Sequence, residues 1–165
     1  MTEDLFKIDC IRTYTGQYVN VVDPKPETII IKDIAHSLSL QCRFGGHLKS
    51  KYSVAQHSID VCLGVKDRKL KLQAIMHDAS EAYLMDIPSP LKRHLTQYRT
   101  IEKRMMFVIA DKFGFDYPLS QEVVDSDRRQ LDIEWNRYMI NKEYYNDRSH
   151  DVEMLFLNLF NIYSK

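Results

Sequence analysis

His57, the adjacent pair His77-Asp78 and Asp127 are the residues of this chain whose types and spacing suit a metal site. Two imidazoles and two carboxylates favour one divalent transition ion, with Mn²⁺, Fe²⁺, Co²⁺, Ni²⁺ and Zn²⁺ all compatible. Such an ion with an open coordination position acidifies a water for attack on phosphorus. Glu81 follows His77 at i+4 and Asp78 at i+3, which on a continuous helix sets it one turn along the same face, as the general acid/base beside that water. A lone buried histidine is more often a hydrogen-bonded core residue than a ligand, and His36, His47, His94 and His150 are read as structural or surface residues. A consecutive His-Asp with a level-matched histidine and an inward aspartate is a different matter, because chance rarely assembles all of them.

The elements that must position these side chains are helices. Ser53 is a good N-cap for a helix from Val54 to about Leu63. Leu72, Ile75, Met76 and Ala79 predict a further helix from Leu70 to about Leu84, ended before the two prolines of Ile87-Pro88-Ser89-Pro90. His57 lies ten residues before Asp67 in the connecting turn and His77 ten residues after it, so an antiparallel pair brings the two imidazoles level. Ser120 is expected to cap a helix from Gln121 to about Ile140. Val124, Leu131, Trp135 and Tyr138 define its inward stripe, and Asp127 falls inside that stripe. Asp125 aligns instead with Arg128, Arg129, Asp132 and Asn136 on a polar face. A carboxylate on an apolar stripe is costly unless paired or metal-bound, which selects Asp127.

The remaining chain reads the same way. A short hairpin is expected at Thr13–Val21 around Gly16. A first helix is expected from Ile31 to Cys42, with Ile34, Ala35, Leu38 and Cys42 inward and Gly45-Gly46 stopping it. A long helix from about Tyr98 to Phe113 ends at Gly114. The last helix, Val152 to Tyr163, is apolar on most of its circumference, which predicts deep burial or an oligomer contact, hence a homo-oligomer. The fold class expected is all-α for the most part, a helical bundle with a small N-terminal β-hairpin, as a single domain over residues 1–165.

Composition narrows the function. Hydrophobic residues at 44% and charged residues at 28% exclude a disordered chain. Lys and Arg number 23, equal to Asp and Glu, so no net field draws a nucleic-acid polymer. Three widely spaced cysteines without a C-x-x-C pair read as reduced thiols, and Met1–Ile8 is acidic without a signal-peptide core, so a cytoplasmic protein is expected. Met154–Ile162 is too short to span a membrane. The absence of H-E-x-x-H excludes a zincin protease, and the absence of P-C-x-x-C excludes a zinc deaminase.

The segments 52–58 (YSVAQHS), 76–83 (MHDASEAY), 86–92 (DIPSPLK) and 126–131 (SDRRQL) together resemble the HD-domain phosphohydrolases, whose signature is His, then His-Asp, then a later Asp on four helices. The nucleotide-hydrolysing branch, with 5′-deoxynucleotidases and phage dATP triphosphohydrolases, is the most similar. The resemblance implies that His57, His77, Asp78 and Asp127 bind the metal and that Glu81 activates or positions the nucleophilic water. It implies that Arg43 holds the substrate phosphate, a role suited to the guanidinium fork, and that Asp86 lies near the sugar. Lys92, after the Pro-rich turn, is a candidate second phosphate contact. The activity implied is metal-dependent hydrolysis of a (deoxy)nucleotide, releasing phosphate from a monophosphate or triphosphate from a dNTP. A triphosphate needs further cations, for which Lys92, Arg93 and Lys49 or Lys51 are available. Alternatives are a deoxynucleoside monophosphatase only, a cyclic or dinucleotide phosphodiesterase, and a non-catalytic nucleotide-binding or structural metal protein. No second histidine cluster supports the phosphodiesterase. A structural zinc site would favour cysteine ligands, and Glu81 has no packing role to name.

Overall fold

The computed structural model describes residues 7–146 and 149–165, without the side chains of residues 149 and 150. Glu3 and Asp4 of the acidic N-terminus and the side chain of His150 lie outside it.

The chain is mostly α-helical with one small N-terminal hairpin, as expected. The strands are β1 (Cys10–Arg12) and β2 (Tyr18–Asn20), antiparallel with Ile11 opposite Val19. The first strand thus lies earlier than expected, and Thr13–Gln17 form the turn. Its hydroxyls explain the shift: Thr13 Oγ1 and Thr15 Oγ1 both donate to Asp33 Oδ2 at 2.8 Å, so the turn is docked on the next helix instead of paired as strand.

That helix is α1 (Ile31–Leu40), shorter than predicted because Gln41 turns extended. Ile34, Ala35 and Leu38 are buried, whereas Cys42, expected on the same face, is exposed beside a one-residue bridge to Ser53. Ser53 caps α2 (Val54–Gly64), its side chain accepting from Gln56 N. The following turn is tied down by Glu122, which accepts from the backbone N–H groups of Lys66 and Asp67.

The predicted continuous helix from Leu70 to Leu84 is broken. α3 covers Lys71–Ile75, residues 76–80 form a turn, and α4 resumes at Glu81–Leu84. The period of Leu72, Ile75, Met76 and Ala79 holds, since all four are buried, but the backbone turns at His77-Asp78. A one-turn helix α5 (Ser89–Lys92) begins on the prolines, followed by α6 (Thr96–Phe113), which Gly114 ends in the left-handed conformation at φ 74°. α7 (Gln121–Glu134) passes into a wider π-type turn over Trp135–Ile140, where Asn141 N bonds Asn136 O. Ser120 stands at the N-cap position, yet its hydroxyl makes no capping bond.

The core is formed where α1, α2 and α3 meet α8 (Ser149–Tyr163), around Ile34, Leu38, Ala55, Ile59, Ile75 and Phe156. α8 is buried along Val152, Phe156, Leu159 and Phe160 and exposed at Met154, Leu155 and Ile162, so its apolar circumference is only half used. Among the described residues no helix is long and apolar enough to cross a membrane.

Candidate metal centre

α2 and α3 form the expected antiparallel pair, and the His57 and His77 rings face each other with centroids 5.2 Å apart. Each imidazole has its Nδ1 engaged away from the other. His57 Nδ1 donates to Glu134 Oε1 at 2.6 Å, and His77 Nδ1 donates to the Ala74 carbonyl at 2.8 Å. Those bonds aim both Nε2 atoms into one space. His77 Nε2 is buried there with no hydrogen-bond partner.

Asp127 Oδ1 enters the same space from α7, 3.0 Å from His57 Nε2 and 3.8 Å from His77 Nε2. The three atoms lie within 4.8 Å of one another. The turn at residues 76–80 swings Asp78 inward beside His77, with Oδ2 3.7 Å from His57 Nε2 and 3.2 Å from His77 Nε2. The last separation lacks the alignment of a hydrogen bond. Donors around an ion at about 2.1 Å stand roughly 3.4 Å apart in a tetrahedron, and the four imidazole–carboxylate separations, 3.0 to 3.8 Å, are of that order. The orphaned His77 nitrogen and the mixed nitrogen–oxygen donor set fit a divalent ion as well.

Although burial opposes it, the Asp78 carboxylate draws His77 up to about 9. Against the same burial, His77 holds Asp78 far below the usual carboxylate range, and the hydrogen bond from His57 lowers Asp127.

The inward stripe predicted for α7 is rotated. Val123, Ser126, Glu134 and Tyr138 face the core, while Leu131 and Trp135 are 38% and 47% exposed. The face carrying Asp127, Leu131 and Trp135 lines a cleft of about 690 Å³ instead. Leu131 and Trp135, the apolar neighbours that made Asp127 look inward, belong to the cleft wall and not to the core, and the Asp127 side chain keeps 43% of its surface open.

Glu134 is the residue of the candidate site that sequence reasoning missed. It is fully buried, seven residues after Asp127, and accepts from His57 Nδ1, from Arg43 Nε at 3.0 Å and from Tyr52 OH at 3.0 Å. Its spacing of two helical turns from Asp127 was the available signal. Burial raises its pKa, but the bond from His57 and the Arg43 charge outweigh that and keep it ionised.

Arg43, Asp78, Glu81, Asp86, Lys92 and Asp127 all border the cleft. Arg43 is brought there from the loop after α1, with Nη1 3.9 Å from Asp78 Oδ2. Glu81 opens α4 and is 5% exposed, its Oε2 without a partner. Burial, reinforced by Asp78 and Asp86, raises its pKa well above the ordinary value. Asp86 is held by its backbone N–H donating to Gln41 Oε1 at 3.2 Å, and burial raises its carboxyl too. Lys92 donates to Glu102 at 2.5 Å and stands 3.8 Å from Glu81. Lys49, Lys51 and Arg93 are not part of the cleft wall, whereas His47 is. His36 pairs with Glu153 at 3.0 Å and stacks on Tyr14, away from the metal centre.

No family model matches the chain. Over 124 residues it is 41% identical to the uncharacterized protein YfdR of Escherichia coli, covering 75% of this chain and 69% of that one. Over 113 residues it is 33% identical to an uncharacterized protein of Rhodobacter capsulatus, covering 62% of this chain and 57% of the relative. Neither name states an activity. At that identity and coverage, the chain belongs to the family of the E. coli protein YfdR.

Proposed function

We propose that this protein is a divalent-metal-dependent phosphohydrolase of the HD-domain type acting on (deoxy)nucleotides. The observation that carries the reading is the convergence of His57 Nε2, His77 Nε2 and Asp127 Oδ1, with Asp78 Oδ2 beside both imidazoles, next to a cleft that Asp78 and Asp127 line together with Glu81 and Arg43. When bound, the ion would supply a Lewis acid that polarises the phosphoryl oxygen and lowers the pKa of a water.

The chain's own residues account for the rest. Arg43 offers its guanidinium to the phosphate while Glu134 fixes its orientation through Nε. Glu81, raised by burial, is suited to take a proton from the attacking water. As the new P–O bond forms, the ester P–O bond breaks and the leaving oxygen takes up a proton. Arg43 and Lys92 are the cations in the cleft wall, and both already face carboxylates, which suits one phosphate better than three.

The test is turnover of a panel of deoxynucleoside mono- and triphosphates with Mn²⁺, Co²⁺ or Zn²⁺, beside Asp78→Ala and Glu81→Ala. Phosphate released from monophosphates and lost in both variants is the expected result. Inorganic triphosphate released from dNTPs would assign the longer chain, and no turnover of any nucleotide would overturn the reading.

A further inference from the structure

The cleft beside the four candidate ligands is lined by two of them, Asp78 and Asp127, and by Arg43, and its wall also includes Leu131, Trp135, Met139, Ile87 and Pro88. Trp135 stands outside the hydrophobic core and keeps 47% of its surface open. The Phe44 ring braces it, with centroids 6.0 Å apart and planes at 55°. Phe44 is itself held at φ 55°, a left-handed conformation that side chains rarely adopt, so the backbone accepts strain to keep this ring at the cleft. A half-open indole contributes little to folding, yet an indole face is among the largest contact surfaces a side chain can offer a ligand.

We propose that Trp135 is the stacking shelf for the base of a nucleotide whose phosphate lies at the metal centre, an inference that rests on the phosphohydrolase reading above. Asp127 and Trp135 are eight residues apart on one helix face, about 12 Å along the axis at 1.5 Å per residue. Phosphate, pentose and base in sequence fill such a distance. An indole offers any base a π-face, and Leu131, Met139 and Ile87 extend that apolar wall, while Asp132 and His47 in the same cleft are polar partners for a base edge or a sugar hydroxyl. The wider turn that begins at Trp135 keeps Met139 on the cleft side and sends Tyr138 to the core.

Trp135 is the only tryptophan in the chain, so fluorescence excited at the red edge, where the ten tyrosines do not absorb, reports on this site alone. Glu81→Gln protein loaded with Zn²⁺, to prevent turnover, is titrated with dAMP and with deoxyribose 5-phosphate. The shelf predicts saturable quenching by dAMP and at least tenfold weaker binding of deoxyribose 5-phosphate, measured in parallel by calorimetry. Trp135→Leu on that background should weaken dAMP about tenfold or more and leave deoxyribose 5-phosphate within twofold, and Trp135→Phe should recover most of the loss. Equal binding of the two ligands, or an equal loss of both in Trp135→Leu, would overturn the shelf. Turnover by the wild-type protein reads separately. Hydrolysis of either phosphate with no dependence on Trp135 keeps the phosphohydrolase and rejects the shelf, whereas quenching by dAMP without hydrolysis of any nucleotide keeps the shelf as a nucleotide site and rejects the hydrolase.

Discussion

Glu134 has no exposed surface and still remains ionised, because three donors from three different segments converge on it. Removing one partner of a buried charged set leaves the others uncompensated, so this carboxylate orients both a candidate metal ligand and the arginine proposed to meet the phosphate. Glu134→Gln keeps the volume but can no longer accept at both oxygens. Zn²⁺ affinity, measured by calorimetry on the unreacted protein, is expected to fall ten- to a hundredfold, about the range for such outer-shell partners. Affinity within twofold of wild type would show that His57 is oriented by packing alone. The cysteines differ in the opposite sense. Burial pushes the Cys62 thiol up to about 11, while Cys42 is exposed. A thiol reacts as its thiolate, whose fraction at Cys62 becomes appreciable only as pH approaches that value. Iodoacetamide at pH 8 followed by peptide mass analysis should label Cys42 in the native protein and spare Cys62. Equal labelling of the two would contradict the burial of α2.

At the scale of elements, the approach of α2 to α7 decides whether Asp127 meets His57. Gly64 permits it, since a Cβ there would stand 2.7 Å from Ser126 Oγ, which in turn donates to Val61 O at 3.0 Å. Gly64→Ala is expected to destabilise by about 1–3 kcal/mol through overpacking and to weaken metal binding, because Ser126 adjoins Asp127. Ser126→Ala added to it removes the clashing oxygen and should restore more than half the loss in melting temperature. A Gly64→Ala protein as stable as wild type would mean that the two helices have slack. Such contacts also mark where the sequence stops being legible. Helix existence was readable from apolar period and from Ser53 and Gly114, and the symmetric spacing about Asp67 brought His57 to His77 correctly. The turn at 76–80 was not readable, because its residues keep helical period and none is a glycine or proline. The α7 stripe was read as core because the helix gives apolar side chains both to the cleft and to the core, and only tertiary packing distinguishes Trp135 from Tyr138. Glu134 offered only its two-turn spacing from Asp127, because its partners Arg43, Tyr52 and His57 lie 77 or more residues away in sequence.

For the whole molecule, the four candidate ligands join segments that no covalent link holds together. His57 comes from α2, His77 and Asp78 from the turn after α3, and Asp127 from α7, which packs chiefly on α2. Without an ion, two negative carboxylates and an unpartnered imidazole nitrogen are confined in one space. An ion that neutralises them binds the folded chain alone, and mass action turns its affinity into stability: about 2.7 kcal/mol when free metal stands at a hundred times its dissociation constant. For a domain of this length each kcal/mol moves the melting temperature by about 2–4 °C, so saturation with Zn²⁺ should raise it by about 5–10 °C and EDTA should reverse the change. Asp78→Ala and His77→Ala should each abolish most of that increment while remaining folded. Lys92→Ala, outside the ligand set, should keep it, which separates a specific clamp from general charge screening. A melting temperature unmoved by saturating Zn²⁺, Mn²⁺ or Co²⁺ would remove the metal from the account. The cluster would then stand as a network of buried hydrogen bonds, with His57 shared between Glu134 and Asp127.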